Sequence, residues 1–238
     1  MPRFRLMVLV SLAMLAFAGN SLLCRMALTH TSIDAASFAT LRLVSGACML
    51  WLVVRVKGSS GGAGNWWSAA ALFVYAAAFS FAYISMSAAT GALLLFGSVQ
   101  ATMIGYGVYQ GERLRTPQLA GFALALAGLV ALMLPGLAAP SLISSLSMLS
   151  AGVAWGVYSL RGKRAASQGM ADPTCVTAGN FMRAVPMALV LSLLMFSHWS
   201  LDPAGIGFAV LSGALASGLG YAIWYQALPA LKATHAAT

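Results

Sequence analysis

Eight apolar stretches, each close to the ~20 residues a helix needs to cross a bilayer, fill almost the whole chain. They run over about 6–27, 35–55, 66–86, 88–109, 116–135, 142–160, 175–197 and 203–227. A soluble fold of this size has no interior large enough to hide them. The 238 residues are 61% hydrophobic and only 7% charged, against about 25% charged in soluble domains. Lipid must therefore be the solvent for much of the surface. In lipid every backbone polar group has to be satisfied internally, and stretches of this length do that as helices. The expected fold class is an all-α polytopic membrane protein.

The positive charges fall on alternate loops. With the N-terminus placed inside, one side carries Arg3, Arg5, Arg55, Lys57, Arg113, Arg115, Arg161, Lys163, Arg164 and Lys232, while the opposite loops carry no Lys or Arg. This is the positive-inside pattern and predicts a cytoplasmic N-terminus. The net charge of +9 is thus a topology signal spread over several segments, and nucleic acid is not an expected partner. The lipid bilayer and a small-molecule solute are. The three cysteines, Cys24, Cys48 and Cys175, lie singly in apolar stretches without the paired spacing of a metal or disulfide framework, so no metal and no cofactor is expected. No H-E-x-x-H run and no acidic cluster is present, so no catalytic residue and no enzyme activity is assigned.

A weak repeat runs through the chain. Shifted by 138 residues, Phe17, Asn20, Arg25 and Asp34 fall on Trp155, Tyr158, Lys163 and Asp172. The first unit, residues 1–138, holds five apolar stretches. An odd number of crossings reverses the orientation of the next unit, so the second, residues 139–238, is inverted relative to the first. Inverted repeats are a common plan of secondary transporters, with the solute site at the repeat interface. The second unit holds helices 6–8, and 232–238 reads as the start of a ninth. A clipped chain that lacks roughly two helices is the expectation.

Charge inside a membrane helix is costly and marks function or a structural partner. Arg42 and Arg183 lie deep in the second and seventh stretches, and Arg42 maps by the repeat onto Asn180, one turn from Arg183. Two readings stand for these arginines. Each binds an anionic group in a central cavity through its planar fork of donors, or each is structural, capping a neighbouring helix or satisfying backbone carbonyls. Asn20 and Tyr158, related by the repeat, are candidate cavity-lining groups. Phe17 and Trp155, also related, and Trp224 are candidate cavity walls or packing residues. Gln100 is a lone amide that contacts solute or bonds a neighbouring helix. Among the predicted helices no Asp or Glu lies deep, which favours anionic or zwitterionic solutes over cations.

Four places resemble one known family. They are 16–42, with Ala-Phe-Ala-Gly-Asn-Ser through Arg25 to Asp34; 100–130, with Gly111-Glu112-Arg113-Leu114 and Gln118-Leu119-Ala120-Gly121; 151–173, with Ala154-Trp155-Gly156-Val157-Tyr158; and 218–237, with Trp224-Tyr225-Gln226-Ala227-Leu228. In order and spacing they resemble an EamA-type member of the drug/metabolite transporter superfamily. The resemblance implies ten helices in two inverted five-helix units, a bacterial-type inner (plasma) membrane location, and transport of small metabolites, often as an exporter, by alternating access. This chain departs from the pattern in lacking the end of helix 9, helix 10 and a second Gly-Glu motif. A non-transporting or partner-dependent membrane protein arising from truncation is the alternative.

Overall fold

The computed structural model describes residues 3–58, 63–112, 116–133, 140–167 and 172–227. The segment expected to begin a ninth helix, 232–238, lies outside them, as do Arg113, Arg115 and Lys232. The described residues form eight helices and no strand: α1 (Arg3–His30), α2 (Ala35–Val56), α3 (Trp66–Ala82), α4 (Ala88–Tyr109), α5 (Thr116–Met133), α6 (Leu142–Ser167), α7 (Pro173–Leu194) and α8 (Pro203–Ala227). Six of them, all but α3 and α5, are long and apolar enough to cross a membrane. Their outer faces carry exposed Leu, Val, Met and Trp side chains, as lipid-facing helices do. The chain is thus an all-α, multi-pass membrane protein in its architecture.

The stretch expected at 66–86 is a shorter helix. α3 has 17 residues, about 25 Å at 1.5 Å per residue, less than the ~30 Å hydrocarbon core. Its far end stops where the Arg25 Nη1 group donates to the carbonyls of Tyr83 (2.8 Å) and Ile84 (3.1 Å). Those carbonyls lack helical partners, and a cation there also meets the negative end of the helix dipole. Arg25 therefore caps a neighbour. α6 runs longer than expected, to Ser167, because its basic last turns can leave the hydrocarbon.

All four acidic residues of the sequence sit at helix ends. Asp34, Asp172 and Asp202 are the N-caps of α2, α7 and α8, accepting from the backbone N–H groups of Ser37 (2.9 Å), Thr174 (2.7 Å) and Gly205 (2.9 Å). Glu112 lies just past the end of α4. Asp34 also accepts from the Ser200 N–H at 3.1 Å and so joins the start of α2 to the loop before α8.

Helix packing follows the small residues. α2 lies against α7, where the Thr40 hydroxyl reaches the Ala188 carbonyl (3.0 Å) and the Ser192 hydroxyl (2.8 Å). α3 and α4 both pack on α6, and α1 and α2 both pack on α8. A Cβ added to Gly152 of α6 would stand 2.6 Å from the Leu95 carbonyl of α4, so only glycine permits that approach. A Cβ added to Gly121 or Gly128 of α5 would meet nothing within 4 Å.

Asp172 generates a pH-dependent expectation. Partial burial alone pushes its carboxyl up, but the hydrogen bonds from Thr174 and the nearby Lys57 ammonium outweigh that and hold it below its ordinary 3.8. Lys57 is itself anchored on the Thr174 hydroxyl at 3.1 Å. A carboxyl lowered in the folded state stabilises the fold above the ordinary range and loses that contribution as pH falls through the lowered value. Thermal unfolding in detergent should show Asp172→Asn less stable than wild type at neutral pH, with the gap closing on acidification below the ordinary carboxylate range. A gap independent of pH would show that the charge contributes nothing.

Candidate functional site

Arg42 is the largest fully buried side chain among the described residues, 1% exposed. It stands eight residues beyond Asp34, about 12 Å along the helix axis. No carboxylate accompanies it. The neighbours are neutral: Nε donates to the Ser217 hydroxyl (3.0 Å), and Nη2 donates to the hydroxyls of Tyr75 (2.9 Å) and Tyr221 (3.4 Å). The guanidinium carbon lies 4.9 Å from the ring centroids of both Tyr75 and Phe79, a cation–π arrangement that partly replaces lost hydration. The remaining nitrogen, Nη1, has no hydrogen-bond partner.

Asn20 extends this network. Its Nδ2 donates to the same Tyr75 hydroxyl at 3.1 Å, and its Oδ1 accepts from the Ser212 hydroxyl at 2.6 Å. One phenol oxygen on α3 thus accepts from α1 and α2, while two serines of α8 close the ring. Those serines are five residues apart in a π-helical segment, Ser212–Leu219. Bonding from i to i+5 brings both onto one face. The segment sits close because Gly213 lies directly against the Arg42 carbonyl and the Ser45 hydroxyl, where a Cβ would collide.

An aromatic wall surrounds the network. Trp155 of α6 lies 4.5 Å from Tyr221 and 5.1 Å from Tyr75 between ring centroids, and Phe17 of α1 packs edge-on against Trp155 (5.5 Å) and Trp224 (5.9 Å). Tyr158 continues the wall from Trp155 to Tyr225, 5.6 Å in each step. The Tyr158 and Tyr225 hydroxyls and the Trp224 Nε1–H are buried without a hydrogen-bond partner. Buried polar groups are normally paired; the Tyr158 hydroxyl faces Asn180 and Thr177 and the Tyr225 hydroxyl faces Ser159, whereas Trp224 Nε1 and Arg42 Nη1 are left as donors without an acceptor.

Of the other candidates, Asn180 borders the Tyr158–Tyr225 end of the wall, while Arg183 and Gln100 fall elsewhere. Asn180 is buried, and its Oδ1 accepts from the Asn65 N–H at 2.9 Å, fixing the start of α3. Arg183 Nη1 donates to the carbonyls of Ala63 (3.1 Å) and Gly179 (2.9 Å). Asn180 and Arg183 thus work together at the entry to α3, apart from the Arg42 network. Gln100 lines a cleft of about 440 Å³ between α4 and α5. Phe17, Asn20, Arg42, Trp155, Tyr158 and Trp224 are gathered into one cluster. Tyr75, Phe79, Ser212 and Ser217 were not singled out by the sequence. Tyr75 did carry a signal, a hydroxyl in the middle of a highly apolar helix. Among the described residues no group of three or more His, Cys, Asp or Glu side chains is placed to hold a metal ion.

The chain is 55% identical over 240 residues to the Uncharacterized protein PA1977 of Pseudomonas aeruginosa, an alignment that covers all of this chain and 82% of that one. No family model matches the chain. A solved crystal structure shares the fold with a TM-score of 0.62 at 20% identity, over 92% of this chain and 79% of its own.

Tyr75→Phe isolates the shared hydroxyl, since it removes the acceptor of Asn20 Nδ2 and the shorter of the two acceptors of Arg42 Nη2 and leaves the rings in place. Loss of a buried hydrogen-bond partner costs about 1–3 kcal/mol. Reversible unfolding in mixed micelles should show a loss of that size. An unchanged unfolding free energy would mean that the two donors find other acceptors.

Proposed function

The chain belongs to one family with PA1977, and for it we propose a secondary transporter, an exporter in the manner of the EamA-type drug/metabolite transporters. Its solute is a small anionic or zwitterionic metabolite such as an amino-acid-like carboxylate. One observation carries this reading: Arg42 is a permanent cation in the membrane interior whose neighbours are all neutral. A buried charge is stable when an opposite charge meets it. With every Asp and Glu of the chain at a helix end, the solute supplies that charge, and Nη1 is the donor left for it.

Several features support the inverted-repeat plan. If α1, α2 and α3 correspond to α6, α7 and α8, the pairing α2–α7 maps onto itself, α3–α6 maps onto α8–α1, and α3–α7 maps onto α8–α2; all five pairs are in contact. Asp34 and Asp172, 138 residues apart, cap the equivalent helices α2 and α7. In this reading Arg42 lies where the two units meet, as expected for a transporter site. The closed packing around it is one state of an alternating-access cycle, with the π segment of α8 moving to admit solute. The membrane is the plasma membrane of a bacterial-type cell, with the N-terminus cytoplasmic.

The test is flux into proteoliposomes with a panel of amino acids, other carboxylates and lipophilic cations. A saturable flux of a carboxylate-bearing solute is expected. Arg42→Gln should raise its half-saturation concentration roughly 10- to 100-fold, the equivalent of about 1.5–3 kcal/mol for a hydrogen bond to a charged group. Unchanged affinity, or flux of cations alone, would refute the proposal.

A further inference from the structure

A second basic site lies outside the central cluster. At the end of the bundle that carries the N-terminus, a groove of about 520 Å³ opens between the start of α3, the end of α4 and the last turns of α6. Five of its lining residues, Val157, Leu160, Arg161, Arg164 and Ala165, succeed one another at helical spacing along a single face of α6. Tyr106 of α4 and Asn65 before α3 close the other side.

The lining is graded. Val157 and Tyr106 are 38% and 37% exposed, so an apolar wall is open to the surroundings. Arg161 and Arg164, one turn apart, form the basic end. Val157 lies seven residues before Arg164, about 10 Å along the axis. α6 has 26 residues, about 39 Å, and so exceeds the ~30 Å hydrocarbon core by nearly two turns. Its basic last turns therefore stand in the headgroup layer, while Val157 and Leu160 stand beside acyl chains.

Arg161 is held in place. Its Nε donates to the Ser68 hydroxyl and its Nη2 to the Asn65 Oδ1, both at 3.0 Å. Those two bonds engage two of the five donors of a guanidinium and fix the plane of the rest. Gln110 likewise orients the Tyr106 hydroxyl, donating to it at 3.1 Å. Glu112, the acid at this end near α6, acts on Lys163, and Arg164 has an interaction of its own, so a phosphate would share its fork of five donors.

We propose that this groove is a binding site for an anionic phospholipid, with the phosphate on Arg161 and Arg164 and one acyl chain along Val157, Leu160 and Tyr106. A fork of guanidinium donors suits a phosphate, and basic pockets between membrane helices hold anionic headgroups. The apolar half of the lining has no use for a free phosphate and selects the lipid. The site is independent of the transport reading.

The experiment is native mass spectrometry of the whole protein released from micelles doped with equal phosphatidylglycerol and phosphatidylcholine. Wild type should retain phosphatidylglycerol at least tenfold over phosphatidylcholine. Arg164→Gln, an exposed change that leaves the anchors of α3 intact, should cut that preference several-fold, and Arg161→Gln should cut it further. Millimolar inorganic phosphate should not displace the lipid. Equal retention of the two lipids, a preference unaltered in Arg164→Gln, or displacement by inorganic phosphate would each overturn the proposal. Because Arg161→Gln also loosens the start of α3, Arg161→Lys serves as its companion. It keeps the charge and should retain part of the preference, and loss equal to that of Arg161→Gln with normal thermal stability would count against an electrostatic site.

Discussion

A single uncompensated charge organises the centre of this protein. A cation at the middle of a membrane helix costs about 2.5–3.5 kcal/mol even on lenient insertion scales. Arg42 persists there because three hydroxyls and two aromatic faces replace its water. Those partners come from α3 and α8, and Asn20 of α1 joins them through Tyr75. Four helices are therefore held in register by the need to solvate one guanidinium. The π segment of α8, with Gly213 pressed against the backbone of α2, is the backbone adjustment that brings two serines into range.

The acids are arranged in the converse way. Asp34, Asp172 and Asp202 stand at helix N-termini, where exposed N–H groups and the helix dipole favour negative charge. None is left to neutralise Arg42. The positive interior is a direct consequence of where the carboxylates are placed, and it is what gives the site its preference for an anionic solute in the proposed function.

Much of this was legible in the sequence, for physical reasons. Apolar runs of membrane length specify helices almost without ambiguity, and the eight expected segments match the eight helices within a few residues at most ends. Arg42, Asn20, Phe17, Trp155 and Trp224 stood out because polar or large aromatic groups are unusual at such positions. The two arginines could not be told apart, since both lie deep in their helices. Only the packing reveals that Arg183 turns to the carbonyl of Ala63 at the entry to α3, whereas Arg42 meets only side-chain hydroxyls and rings. The shortness of α3 was also hidden, because the apolar run continues through the turn that Arg25 caps. The roles of Ser212 and Ser217 depend on a π turn, and no periodicity in the sequence announces one.

The most direct test is equilibrium binding of a matched pair, a carboxylate-bearing solute and its neutral amide, to the protein in nanodiscs. If the solute supplies the counter-charge of Arg42, the carboxylate should bind saturably and its amide at least tenfold more weakly. Equal binding of the two, or stronger binding of the amide, would contradict the account.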